Sequence, residues 1–93
     1  MRFHLDAEKS RRLRANPERD IGFEEAQTLF DAEHIIDRRS DDPGQFRAIE
    51  WVGGTLYSVI YEVRHDKDGE FYHLVTLWKA TKEERNAYAE NIE

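Results

Sequence analysis

An α+β domain built on one small antiparallel sheet, packed with two N-terminal helices and a C-terminal helix, is the fold class this sequence predicts, and three observations predict it. The second half of the chain alternates apolar and polar residues in three runs separated by glycine-containing turns. The first half instead spaces apolar residues for helices, interrupted at Asn16-Pro17 and at the Asp31-Ala32-Glu33-His34 break. Near the chain end, Thr81-Lys82-Glu83-Glu84 has the side-chain chemistry of a helix start.

The elements follow in order. Phe3 and Leu5 alternate with Arg2 and His4, which reads as a short first strand. Asp6 is placed to cap a helix from Ala7 to Ala15, and Pro17 ends it by disfavouring helical geometry at Asn16. Within that helix, Ser10-Arg11-Arg12-Leu13-Arg14 reads either as a solvated face or as a ridge of phosphate contacts. A second helix is expected from Phe23 to Phe30, because Phe23, Ala26 and Phe30 form one apolar stripe. Glu24 and Glu25 suit the positive end of its dipole. Ile35-Ile36 read as an early strand, and Asp37 to Gly44 as a polar loop punctuated by Pro43 and Gly44.

Three meander strands are expected next, at Gln45 to Val52, Thr55 to Arg64 and Phe71 to Lys79, with a terminal helix from Thr81. The two-residue turn Gly53-Gly54 permits positive φ at both positions and sets the pairing. Glu50 meets Tyr57, Ala48 meets Val59 and Phe46 meets Tyr61 on one face. Trp51 meets Leu56, Ile49 meets Ser58, Arg47 meets Ile60 and Gln45 meets Glu62 on the other. A four-residue turn at Asp66-Lys67-Asp68-Gly69 would set Arg64 against Phe71, Glu62 against His73 and Lys79 against Leu56 on that same face. A slip of one residue would reverse every assignment on the last strand.

A chain of 93 residues makes one domain, 1–93, with a modest core. Activity is therefore expected on an open face or in a shallow groove. The net charge of -6 weighs against generic nucleic-acid binding, leaves room for a local basic patch and suits a basic partner. The absence of cysteine excludes disulfides and thiolate zinc sites. His4, His34, His65 and His73 follow no metal-ligand spacing, and Asp66 to Gly69 lacks the later ligand of a calcium loop. Neither a metal nor another cofactor is expected. The N-terminus lacks the apolar run of a signal peptide, and no stretch approaches about 18 apolar residues. A cytoplasmic protein without membrane contact is the expectation.

Four segments, taken together and in order, carry a family likeness. They are Phe3-x-Leu5-Asp6-x-x-Lys9; Gly22-Phe23-Glu24-Glu25-Ala26-x-x-Leu29-Phe30-Asp31; Gly54-x-Leu56-Tyr57-x-Val59-Ile60-Tyr61-x-x-Arg64; and Lys79-Ala80-Thr81-x-x-Glu84-Arg85-x-x-Tyr88. In this arrangement the chain resembles the BrnT-type toxins of bacterial type II toxin–antitoxin pairs. The resemblance implies a RelE-like fold and a metal-independent endoribonuclease that arrests translation. It also implies neutralisation by a cognate antitoxin, a basic DNA-binding protein whose complex with the toxin represses their operon.

RNA cleavage of that kind needs a base for the 2′-hydroxyl, a cation for the pentavalent phosphorane and an acid for the leaving 5′-oxygen. The resemblance places Arg64 at the family's strand-end arginine, where two parallel bonds can hold the phosphorane. The plainer reading is a salt bridge to a sheet neighbour or a turn cap. His73 is of the residue type suited to proton transfer and could be oriented by Glu62; otherwise it is a surface histidine. Lys79 could hold a phosphate or be simply exposed. These three are the catalytic candidates. Lys9 and Arg47 are candidate RNA contacts, and Trp78 could stack on a base or serve the core or a partner interface.

The chain departs from the family pattern in three places. Leu5 stands where tryptophan is usual, and Arg19-Asp20-Ile21 where lysine, histidine and glycine are usual. His73-Leu74-Val75-Thr76-Leu77-Trp78 replaces a run that begins and ends in arginine. The lost arginines and the acidic balance support an alternative: a non-catalytic binding module on the same scaffold.

Overall fold

The structure is a computed structural model that describes residues 2–31, 35–41 and 44–92. It is α+β. Its strands are β1 (Arg2–His4), β2 (Ile35–Asp41), β3 (Gly44–Val52), β4 (Thr55–Asp66) and β5 (Gly69–Lys79), in the spatial order β1-β5-β4-β3-β2. Its helices are α1 (Ala7–Ala15), α2 (Phe23–Ala26) and α3 (Lys82–Ile92), with a 3-10 turn over Gln27–Asp31. The expected break at 32–34 and the loop signal at Pro43 lie outside the described residues. Among the described residues no helix is long and apolar enough to cross a membrane.

The centre of the sheet follows from its turns. Gly53 and Gly54 both take positive φ, at 57° and 85°, and β3 pairs β4 in the expected register from Val52↔Thr55 to Gln45↔Glu62. Alternation then sends Ala48, Tyr57, Val59, Tyr61, Leu74 and Leu77 to one face, where they bury Phe23, Ala26 and Leu29. Rings fill the upper part of this core. Phe30 meets Tyr61 edge-on at 5.1 Å and Phe3 at 5.4 Å, while Tyr61 and Tyr72 stand 4.7 Å apart. Burial pushes the Tyr61 phenol up to about 12. A smaller cluster of Ile49, Leu56 and Ala80, with Tyr88 against it, covers part of the opposite face beneath α3.

The caps behave as their residue types require. The Asp6 carboxylate accepts from Lys9 N at 3.1 Å. At α3, Glu84 N donates to Thr81 Oγ1 and Thr81 N donates to Glu84 Oε1 at 2.8 Å, a reciprocal capping box.

Four expectations need correction. The sheet is not purely antiparallel, because β1 lies parallel to β5, with Phe3 beside Tyr72 and His4 beside His73. Two parallel strands need a long crossover, and here everything from α1 to β4 lies between them. The second helix is only four residues long before it tightens into the 3-10 turn. Thr28 Oγ1 donates to Glu25 O at 2.7 Å, engaging a carbonyl that the α-helical ladder would otherwise use. The polar segment from Asp37 to Asp41 is strand rather than loop, since an edge strand tolerates charged residues.

The fourth correction concerns β5. Its register matches expectation from Asp66↔Gly69 to Glu62↔His73, then shifts, so that Tyr61 pairs Leu74 while Ile60 pairs Thr76. Val75 is the extra residue of a bulge. Lys79 therefore pairs Tyr57 rather than Leu56, and its side chain is carried to the face that bears α1 and α2.

Candidate functional site

The face opposite the main core divides into two ends. At one end α3 lies over the sheet. There the buried Glu84 carboxylate accepts from Trp78 Nε1 at 2.9 Å, from Arg47 Nη1 at 3.0 Å and from Thr81 N at 2.8 Å. Burial raises its pKa, but the Thr81 amide, the Trp78 and Ser58 side chains and the Arg47 charge outweigh that and hold it below the usual carboxylate range. Arg47 also donates Nε to Asp37 at 3.0 Å. A hollow of about 330 Å³ opens beside this cluster, lined by residues that include Arg47, Trp78 and Glu84.

Among the described residues no helix covers the other end. Strand alternation puts Gln45, Glu62, Arg64 and His73 on this face, and β1 adds Arg2 and His4 beside them. Glu62 is buried at the centre. It accepts from Gln45 Nε2 at 2.9 Å, and from Arg64 Nε at 2.9 Å and Nη2 at 2.5 Å. The Gln45 bond, then Arg64, keeps the Glu62 carboxyl ionised below its ordinary range despite burial. Arg64 is half exposed, so part of its guanidinium still faces solvent.

His73 faces Glu62 across the ladder and meets His4 on its other side. The two Nδ1 atoms are 2.6 Å apart, and the ring centroids lie 4.8 Å apart with 25° between the planes. Burial pushes the His73 pKa down from its usual value. Arg64, His4 and Lys9 push it the same way, against Glu62. Around neutral pH His73 is therefore an uncharged imidazole. Beyond His4, Arg2 closes the edge through Asp66, with Nη2 2.8 Å from Oδ1, and lies over the Phe71 ring at 5.4 Å. A hollow of about 390 Å³ is lined by Arg2, Phe3, His4, Asp66 and Phe71.

Of the six candidates, Arg64 and His73 come together around Glu62, and Lys9 lies close enough for its charge to act on His73. Lys79 does not join them. It sits on the opposite face, donating to Asp20 Oδ2 at 2.7 Å and to Pro17 O at 3.3 Å. Arg47 and Trp78 lie at the covered end, bound to Glu84. Among the described residues no three histidine or carboxylate side chains converge to hold a metal ion.

Two members of the site carried little signal in the sequence. Gln45 could be found only through its pairing with Glu62. His4 depended on β1 lying beside β5, which no local pattern encodes. An uncharged imidazole beside a half-exposed guanidinium can move a proton at a group that the guanidinium holds. An anion that takes Arg64 would do so in competition with Glu62. Compared with protein-family models and with curated proteins, the chain matches none of them.

Proposed function

We propose that this chain is the toxin of a type II toxin–antitoxin pair. It is a BrnT-type protein with a RelE-like scaffold that cuts RNA without a metal, arrests translation in the cytoplasm and is neutralised by a basic, DNA-binding antitoxin. The observation that carries this reading is the meeting of Arg64, His73 and Glu62 at the uncovered end of the sheet. Arg64 supplies the cation for the phosphorane, and His73 supplies a proton-transfer group that is neutral at working pH. Lys9 adds positive charge on the approach. The net charge of -6 complements a basic antitoxin.

A second reading is favoured by a separate observation. Arg47 and Lys79 are both engaged by carboxylates of the fold, and Arg64 by Glu62. A surface whose cations are held internally suits a binding module that has kept the partner interface and lost catalysis. One experiment separates the two. Purified protein is incubated with RNA in excess chelator, and the ends of any fragments are analysed. Fragments ending in 2′,3′-cyclic phosphate, absent with Arg64→Ala, support the ribonuclease. RNA left intact by the unaltered chain rejects it and leaves the binding module.

A further inference from the structure

We infer that His4 is a second catalytic residue of the ribonuclease site, forming with His73 a hydrogen-bonded pair in which one ring is the base and the other the acid. The inference rests on the ribonuclease reading above and adds a residue that the family resemblance does not supply.

The argument starts from the 2.6 Å separation of His4 Nδ1 and His73 Nδ1. Two ring nitrogens at that distance share one proton, so one donates and the other accepts. A neutral imidazole carries a single N–H. The ring that donates through Nδ1 is therefore bare at Nε2, and the ring that accepts through Nδ1 carries its proton at Nε2. The contact fixes opposite tautomers. One uncharged pair thus offers a base and an acid at once, and neither ring has to become imidazolium first.

The surroundings favour the uncharged form of His73. The groups bearing on His73 are Arg64 from β4, Lys9 from α1 and His4 from β1, which oppose its protonation, and Glu62 from β4, which favours it. Placing a charge on both rings would bring two cations together across 2.6 Å. His4 is exposed and His73 partly so, at the same open end of the face as Arg64.

The chemistry balances within the pair. The bare Nε2 takes the proton of the 2′-hydroxyl as the 2′-oxygen bonds to phosphorus. The bond from phosphorus to the 5′-oxygen breaks, and that oxygen takes the proton from the other ring's Nε2. The shared proton crosses from one Nδ1 to the other. The RNA is left with a 2′,3′-cyclic phosphate on one fragment and a 5′-hydroxyl on the next. Both rings finish neutral with their tautomers exchanged.

This arrangement has a kinetic signature. A pair that needs one imidazolium and one imidazole gives a bell-shaped pH profile, because each protonation state is lost on one side. A neutral pair loses activity only when it gains a proton, so its profile has an acid limb and then a plateau.

The test uses the full chain and a single-stranded oligoribonucleotide in excess chelator, with kcat measured across pH for the unaltered protein, His4→Ala and His4→Asn. The expected result is a plateau above neutral pH for the unaltered chain and a loss of about 10²–10⁴-fold in kcat for both variants. Asparagine can keep a hydrogen bond to His73 Nδ1 but has no counterpart of Nε2. Full activity in His4→Asn would reduce His4 to a positioning residue and overturn the inference. Full activity in His4→Ala would overturn it too, while a loss with Arg64→Ala would leave the ribonuclease reading standing. A bell-shaped profile for the unaltered protein would rule out the neutral pair even if His4→Ala failed to fold. RNA left intact by the unaltered protein would reject the inference and the ribonuclease together.

Discussion

Glu62 and Glu84 lie over the same face of the sheet, each nearly excluded from solvent and each holding an arginine, yet the two clusters serve different ends. Glu84 lies in the first turn of α3 and collects donors from β3, β5 and the cap of its own helix, and its arginine, Arg47, keeps only 27% of its side-chain exposure. Glu62 sits where no helix of the described residues covers the sheet, and its arginine, Arg64, keeps 49%. A cation whose hydrogen bonds all go to its own protein ties secondary structure together. A cation still half in water can exchange its carboxylate for an incoming phosphate. What separates a structural ion pair from a candidate site here is the coverage of the cation.

Arg64→Ala bears on this contrast with the largest expected effect. RNA cleavage should fall by about 10²–10³-fold, as for removal of one group that stabilises transition-state charge. The melting transition should fall less than in Glu84→Ala, because Gln45 still donates to the Glu62 carboxylate. A large drop in melting temperature with cleavage intact would mean that the two clusters play the same role.

Glu84→Ala should do the reverse. It leaves Arg47 and the Trp78 indole with fewer partners and removes half of the capping box. A loss of about 3 kcal/mol in denaturant unfolding is expected, with the cleavage rate per folded molecule retained.

The pH dependence of stability comes next. Glu62 and Glu84 are both held below the ordinary carboxylate range, so their contribution is complete above that range and disappears as pH falls through their lowered folded values. His73 acts at milder acidity. It resists protonation in the fold but not in the unfolded chain, so stability should begin to decline as pH drops through about 6.5. Denaturant midpoints between neutral and acid pH should show two descending steps, and His73→Gln should remove the first. A single step in the unaltered chain would show that the environment of His73 contributes nothing.

The smallest effect belongs to Lys79→Ala. Its bridge to Asp20 is exposed on the face away from the candidate site. Neither the melting midpoint nor the cleavage rate should change measurably, and a lost cleavage rate would return Lys79 to the site.

Legibility in the sequence followed the range of the interaction. The β3–β4 register was readable because two adjacent glycines define the turn, and everything up to Gln45 opposite Glu62 follows by counting. The capping box of α3 was readable because its partners are three residues apart. Arg64, Glu62 and His73 could be brought together through the second turn. His4 could not, because its neighbour in the sheet is 69 residues away and the pairing is parallel. Lys79 was misplaced because a bulge leaves the apolar pattern of β5 intact while changing its phase. The edge strand over Asp37 reads equally as loop in the sequence because its polar composition satisfies both descriptions.

The bulge at Val75 divides β5 into two lengths that answer to different demands. Above it, Phe71 and His73 are held in phase with Glu62 and Arg64; below it, Trp78 is presented to α3 and Lys79 to the opposite layer. Substitutions that repack the lower length against α3 can accumulate without rotating the upper one out of alignment. Deleting Val75 would fuse the two lengths and force one of them onto the wrong side. The extra residue therefore lets the protein's support for its terminal helix and its candidate site diverge at separate rates within a single strand.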